Sequence, residues 1–170
     1  MKYRQLLSFL FLFSFILSAS AQDKKAELID EFPTLGCEFL LNHSDKYASL
    51  LNENLDSKLY IIYYEGKHPE QIYDKKEKKM KTVLVSPRRG EARNKTEAIT
   101  LYLTKYRQIS PDRFTLIDGG FDTEYHVQVW LVPNGVEPPK SSQFENIKTM
   151  KFRKGKAPKV ADCEGYYRSI

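Results

Sequence analysis

Arg88, Arg89, Arg93 and Lys95 fall within eight positions at the opening of a segment with helical spacing. The first turn of a helix carries amides without intrahelical partners and the positive end of the macrodipole. Four cations added there would suit a carboxylate, and this cluster is the candidate ligand site, although the same pattern also describes a solvated basic face. Other chemistry is thinly represented. His43, His68 and His126 are scattered. Only His126, near Asp118, Asp122 and Glu124, stands where a hydrolase could pair a base with a carboxylate, and His126 with Asp118 would be that pair. Histidines in packing or surface positions are the plainer reading. No Gly-x-Ser-x-Gly and no phosphate-cradling Gly-x-x-x-x-Gly-Lys-Ser/Thr occurs. No catalytic residue and no cofactor are therefore predicted. Three His and two Cys cannot build a zinc site of the usual spacing, and residues 118–124 lack the alternation of a calcium loop, so no metal is predicted either.

The remaining reactive pair is Cys37 and Cys163, 126 positions apart. Their reading depends on compartment, and the N-terminus speaks to that. Lys2 and Arg4 precede an apolar run over 6–18, which is followed by Ala19-Ser20-Ala21 and the polar Gln22-Asp23-Lys24-Lys25. This is the three-part pattern of a cleaved secretory signal peptide over 1–21, and its apolar run is too short to span a bilayer. Export places the chain in a periplasm or outside the cell. There two cysteines predict one disulfide, worth about 4–5 kcal/mol by loop closure, with two buried thiols as the alternative. No later stretch is apolar enough to predict a transmembrane segment. The whole chain carries a net charge of +5, and removing the leader lowers it to +3. So small an excess on an exported chain argues against nucleic acid as a partner.

The elements that must position these residues follow from hydrophobic spacing. Residues 26–32 read as an edge strand or an extended lead-in. Leu40, Tyr47, Leu50, Leu51 and Leu55 recur at helical spacing after Cys37. Residues 59–64, Leu-Tyr-Ile-Ile-Tyr-Tyr, form a continuous β-rich run, the mark of a central strand buried on both faces. Residues 65–81 are a lysine-rich excursion, expected to be a solvated loop or a short exposed helix, and 82–85 a short strand. Ser86-Pro87 predicts a helix start, with Ser as N-cap and Pro at the first position. Ala92, Ile99, Tyr102, Leu103 and Tyr106 would form its buried face. A strand over 113–117 and an alternating strand over 125–132 follow, joined by a tight connection at 118–122 and expected to pair antiparallel. Pro133, Asn134 and Gly135 end the compact region. The result is one α/β domain over 22–133, a two-layer sandwich with a small mixed sheet and two helices packed on one face. A basic, Pro- and Lys-rich extension over 134–170 follows, either loosely ordered or a strap held by Cys163.

Arg88-Arg89-Gly90-Glu91-Ala92, Tyr102-Leu103, Ile109 with Arg113, and Asp118-Gly119-Gly120-Phe121 together resemble the C-terminal domain of OmpA-like proteins. The resemblance covers about 58–133. It implies the two-layer fold and a non-catalytic envelope module that binds the peptidoglycan stem peptide. In that family an Asp receives the ligand's ammonium and an Arg pairs with its carboxylate. Glu65 falls where the family has Asp, and Lys95 where it has Arg. Lys keeps the charge but loses the planar fork that grips a carboxylate at two points. The resemblance implies ligand contacts at Glu65 and Lys95, which join the basic cluster of Arg88, Arg89 and Arg93 as the candidate site, and peptidoglycan or an envelope protein as partner. The alternative is a structural or protein-interaction role on a fold whose ligand site has degenerated. A concave cluster converging on Lys95 and Glu65 would favour the first, and a flat surface with exposed aromatics the second.

Overall fold

Residues 59–64 form the centre of the molecule, as their composition demands. The computed structural model describes residues 24–33, 36–140 and 150–159. In chain order it has β1 (Glu27–Phe32), α1 (Cys37–Glu53), β2 (Ser57–Asp74), β3 (Lys79–Val85), α2 (Glu91–Arg107), β4 (Phe114–Glu124) and β5 (His126–Pro133), with a single 3₁₀ turn at Pro111–Arg113. The first half of β2 is flanked on both sides, by β5 antiparallel and by β4 parallel. β1 closes the far side of β5 as an antiparallel edge strand. Leu59 and Ile61 point to one face and Ile62 and Tyr64 to the other, and all four are fully buried.

The helices sit over the Leu59–Ile61–Tyr63 face. Leu40, Tyr47 and Leu51 of α1, Ala92, Ile99 and Leu103 of α2, and Val127 and Val129 of β5 join them in one core. This is a mixed α/β arrangement of a curled sheet and two helices, compatible with two layers. Arg113 ties the end of α1 into it. Its Nη2 donates to the carbonyls of Leu51 and Asn54 at 2.9 and 3.0 Å, and its Nε to that of Ser57 at 3.1 Å. A cation there satisfies carbonyls that the helix end leaves open.

Four expectations are corrected. First, residues 65–81 are neither loop nor helix. β2 runs on to Asp74, and its second half pairs antiparallel with β3 from His68↔Val85 to Asp74↔Lys79, making a projecting hairpin. Second, α2 begins at Glu91, not at Ser86-Pro87. Gly90 precedes it in the left-handed region at φ +80°, which interrupts any helix through 86–90 and which glycine adopts without strain. Third, residues 118–122 are no connection but part of β4. The Gly-Gly pair marks an irregularity in its pairing with β2, where the register shifts on both sides of Glu65. Gly119 lies so close to Tyr64 that a Cβ there would meet the ring at 2.5 Å. Fourth, β4 and β5 do not pair with each other, because β2 lies between them.

Only Tyr125 separates β4 from β5, so the chain must cross β2 within a residue or two. It does so at Gly66. A Cβ on Gly66 would stand 2.0 Å from the carbonyl carbon of Glu124, and the amide of Tyr125 donates to the carbonyl of Lys67 at 2.9 Å. Glycine is required by this close approach of two backbones. From His68 on β2 is free of β4 and β5 and pairs with β3 instead.

The leader expected over 1–21 and Cys163 lie outside the described residues. Of Cys37 only the backbone, which opens α1, is described. Among the described residues no helix is long and apolar enough to cross a membrane.

Candidate functional site

The first turn of α2 gathers most of the residues singled out from the sequence, around a carboxylate that had been given no role. Glu91 is buried. Its Oε1 lies 3.0 Å from His68 Nε2 and 3.2 Å from Lys95 Nζ. Its Oε2 accepts the backbone N–H of Arg88 at 2.8 Å, with the guanidinia of Arg153 and Arg88 at 3.7 and 4.0 Å. Burial pushes the Glu91 carboxyl up. The Arg88 amide, Lys95 and His68 outweigh that and hold it below the usual range. His68 is buried in the same place, and burial with Lys95 beside it lowers its imidazole below the ordinary value.

Glu65 takes the other anion position. It is buried at the bend of β2, and its Oε1 accepts the Gly90 N–H at 2.9 Å. The Ala92 amide also favours its charged form. Burial prevails over both amides, and with Glu91 and Asp118 nearby it raises the carboxyl. The free amides of the α2 N-terminus thus meet a carboxylate of this chain.

The basic residues divide. Lys95 and Arg88 turn to Glu91, and Lys95 Nζ also lies 5.4 Å above the ring of Tyr125. Arg89 is exposed, with its guanidinium 4.7 Å from the ring centre of Phe152. Arg93 is not brought to the cluster. It pairs with Glu97 at 2.7 Å along the outer face of α2, beside an open cleft of about 490 Å³ lined by Leu101, Phe114 and Leu116.

Residues 150–159 lie across this site as a strap. The Arg153 amide donates to the Pro87 carbonyl at 2.9 Å, and its guanidinium reaches Glu70 at 2.6 Å. Phe152 packs edge-on to Phe121 with ring centres 5.8 Å apart. Asn94 Nδ2 donates to the Pro158 carbonyl at 2.8 Å. Residues 150–159 of the extension thus pack on the domain, while Cys163, the residue expected to hold it as a strap, lies outside the described residues.

Glu91, His68, Glu70 and Arg153 were missed as members of the cluster. The available signal was an acidic residue at the first position of a helix, where the dipole favours it. Nothing in the sequence announced that it would be buried.

His126 and Asp118, the hydrolase pair considered from sequence, stand on opposite faces of the sheet. Asp118 is in register with Tyr63, on the helix side. His126 is in register with Tyr64 and stacks on its ring at 4.3 Å, with Asp122 Oδ2 3.4 Å from its Nδ1. Among the described residues no group of three His, Cys, Asp or Glu side chains could hold a metal ion.

The large exposed apolar side chains concentrate elsewhere, on the β2–β3 hairpin. Tyr73, Met80 and Leu84 are 57%, 56% and 53% exposed, and Ile72 is 42% exposed. Comparison with protein-family models, with curated proteins and with solved structures finds no match in any of the three.

Proposed function

We propose that the chain is an exported, non-catalytic module of the cell envelope that acts by docking its surface on a partner. The carrying observation is the pairing of the α2 N-terminus. Glu65 accepts from Gly90, Glu91 takes Lys95 and His68, and Arg153 closes over them. Arg88 and Lys95, which would otherwise serve a ligand's carboxylate, turn to Glu91 instead, and buried charges paired in this way give rigidity. Among the described residues the hairpin carries four of the seven large exposed apolar side chains together with a lysine-rich tip, so docking falls to it. Export rests on the leader pattern at 1–21.

A second reading keeps the OmpA-like ligand site, with a peptidoglycan-type carboxylate held at the α2 N-terminus. Arg89 favours it, because its guanidinium is exposed at that end of the helix.

The two readings part in a sedimentation experiment with residues 22–170. Docking predicts pelleting with whole envelope membranes that is weakened by Tyr73→Ser with Leu84→Ser and unaffected by Arg89→Ala. Salt-resistant pelleting with purified peptidoglycan, abolished by Arg89→Ala, would establish the second reading and overturn the first.

A further inference from the structure

We propose that the β2–β3 hairpin seats on an anionic lipid bilayer, with its Tyr73–Met80–Leu84 face in the headgroup region. This rests on the docking reading above and names the partner surface.

The register sets the face. Tyr73 pairs with Met80 and Pro69 with Leu84, and strand side chains alternate, so these four share one side with Gln71 and Thr82. All six are exposed. The opposite side carries His68 and Glu70, which turn to α2 and the strap. The apolar row therefore lies on the side away from the rest of the protein. Lysines on an edge strand can be explained as a guard against unwanted strand pairing. Exposed Tyr, Met and Leu beside them cannot, since they raise that hazard.

The charges at the tip are sorted in a way that fits an anionic surface. Each acid of the hairpin has a cation of its own. Asp74 pairs with Lys81 at 2.8 Å, Glu77 with Lys79 at 2.7 Å and also with Lys81, and Glu70 with Arg153 at 2.6 Å. Lys67, Lys75, Lys76 and Lys78 remain in excess and exposed, three of them in the four-residue tip. A plane of lipid phosphates answers that excess without a shaped counterpart. Lysine stems can lie along apolar surface while their heads stay at the phosphates, and the Tyr ring with its hydroxyl suits the same boundary. Attraction to an anionic leaflet amounts to about fivefold in affinity per lysine near the surface, and it fades within a Debye length.

The test is flotation of residues 22–170 with phosphatidylcholine vesicles made with and without phosphatidylglycerol. The expected result is binding that requires phosphatidylglycerol. Replacing Lys75, Lys76 and Lys78 by Gln should cut it by about a hundredfold. Replacing Tyr73, Met80 and Leu84 by Ser should remove the part that survives moderate salt. Circular dichroism of both variants should match the parent, because every altered side chain is exposed. Absence of binding to phosphatidylglycerol vesicles, or binding indifferent to both variants, would overturn the lipid proposal. If the parent then still pelleted with envelope membranes in a hairpin-dependent way, docking would stand with a protein as partner. If it did not, the docking reading would fall as well.

Discussion

His68 Nε2 and Glu91 Oε1 meet at 3.0 Å with both side chains buried, joining the bend of β2 to the first turn of α2. Lys95 and Arg153 share the same carboxylate, and Glu70 stands beyond Arg153. His68 titrates below its ordinary 6.5 because burial and Lys95 oppose its charge. An unfolded chain therefore binds a proton below about that pH which the fold resists, and stability falls as pH drops through this window. Glu91 adds to the loss lower down. Its carboxyl is held below 4.5, so its contribution is present above that value and is lost as pH falls through the folded one. Glu65 has the opposite sign, since its carboxyl is raised. Urea midpoints should decrease from pH 7 to pH 5, and His68→Gln should flatten that segment. A slope unchanged in His68→Gln would remove His68 as its cause.

The asymmetry between Glu91 and its partners gives a second prediction. Glu91→Ala leaves Lys95 and His68 without their buried acceptor and should cost about 3–5 kcal/mol in chemical denaturation. Glu91→Gln keeps an acceptor for the Arg88 amide and should cost less. Glu65→Gln should behave differently from both. It removes a charge that burial disfavours and keeps an acceptor for Gly90. Its stability relative to the parent should be greatest at neutral pH and should shrink as Glu65 itself becomes protonated.

The two glycines of the sheet separate by what they touch. Gly66 faces the backbone of Glu124, which cannot move without parting β4 from β2. Gly66→Ala should cost more than about 3 kcal/mol and lower soluble yield. Gly119 faces the ring of Tyr64, so Gly119→Ala should cost about 1–3 kcal/mol and be partly relieved by Tyr64→Leu. Strict additivity of the last two substitutions would show that they are not in contact.

Much of the architecture was legible in the residues. The period of Leu40, Tyr47 and Leu51 announces α1, the unbroken run at 59–64 announces a doubly covered strand, and Val127 with Val129 announces the inner face of β5. The hairpin was not legible, because Ile72 and Tyr73 are adjacent and only charged residues stand between them and Met80, so no alternation shows. Gly119-Gly120 reads as a turn until the ring of Tyr64 shows why a side chain is excluded there. Pairing could not be read either. A one-residue connection suggests neighbouring strands, and only the crossing at Gly66 allows β2 to lie between them. At the site, Arg88, Arg89 and Lys95 were found as cations at a helix start. Glu91, the partner of Arg88 and Lys95, lies within the same five residues as Arg88 and Arg89. Its burial depends on His68, 23 positions before it, and Arg153, 62 positions after it, and no local pattern encodes such distances.

Arg113 is a case where a motif residue has a purely architectural reason. Its planar fork serves three carbonyls at the end of α1 and the start of β2. Arg113→Ala should cost about 2–3 kcal/mol, since bonds from a charged donor exceed the ordinary net value. Arg113→Lys should recover under half of that, because an ammonium cannot serve carbonyls in fork geometry. Thermal denaturation of the three proteins checks the order. Equal stability of the Lys variant and the parent would show that charge alone suffices.

The strap gives the last prediction. Residues 150–159 are joined to the domain through Arg153 with Pro87 and Glu70, Phe152 with Phe121 and Arg89, and Asn94 with Pro158. These contacts are few and partly exposed, so the strap should open on its own well before the core unfolds. It carries Lys151, Lys154 and Lys156, all sites for trypsin. Arg153→Ala with Phe152→Ala should speed cleavage there by about thirtyfold or more while the core remains intact, because the opening free energy falls by about the value of one charged hydrogen bond and one small ring contact, about 2 kcal/mol at the least. Loss of Arg153 should also leave Glu91 less well compensated and raise its carboxyl, moving the acid transition to higher pH. Cleavage at the parent's rate in the double variant would mean that other contacts hold the strap in place.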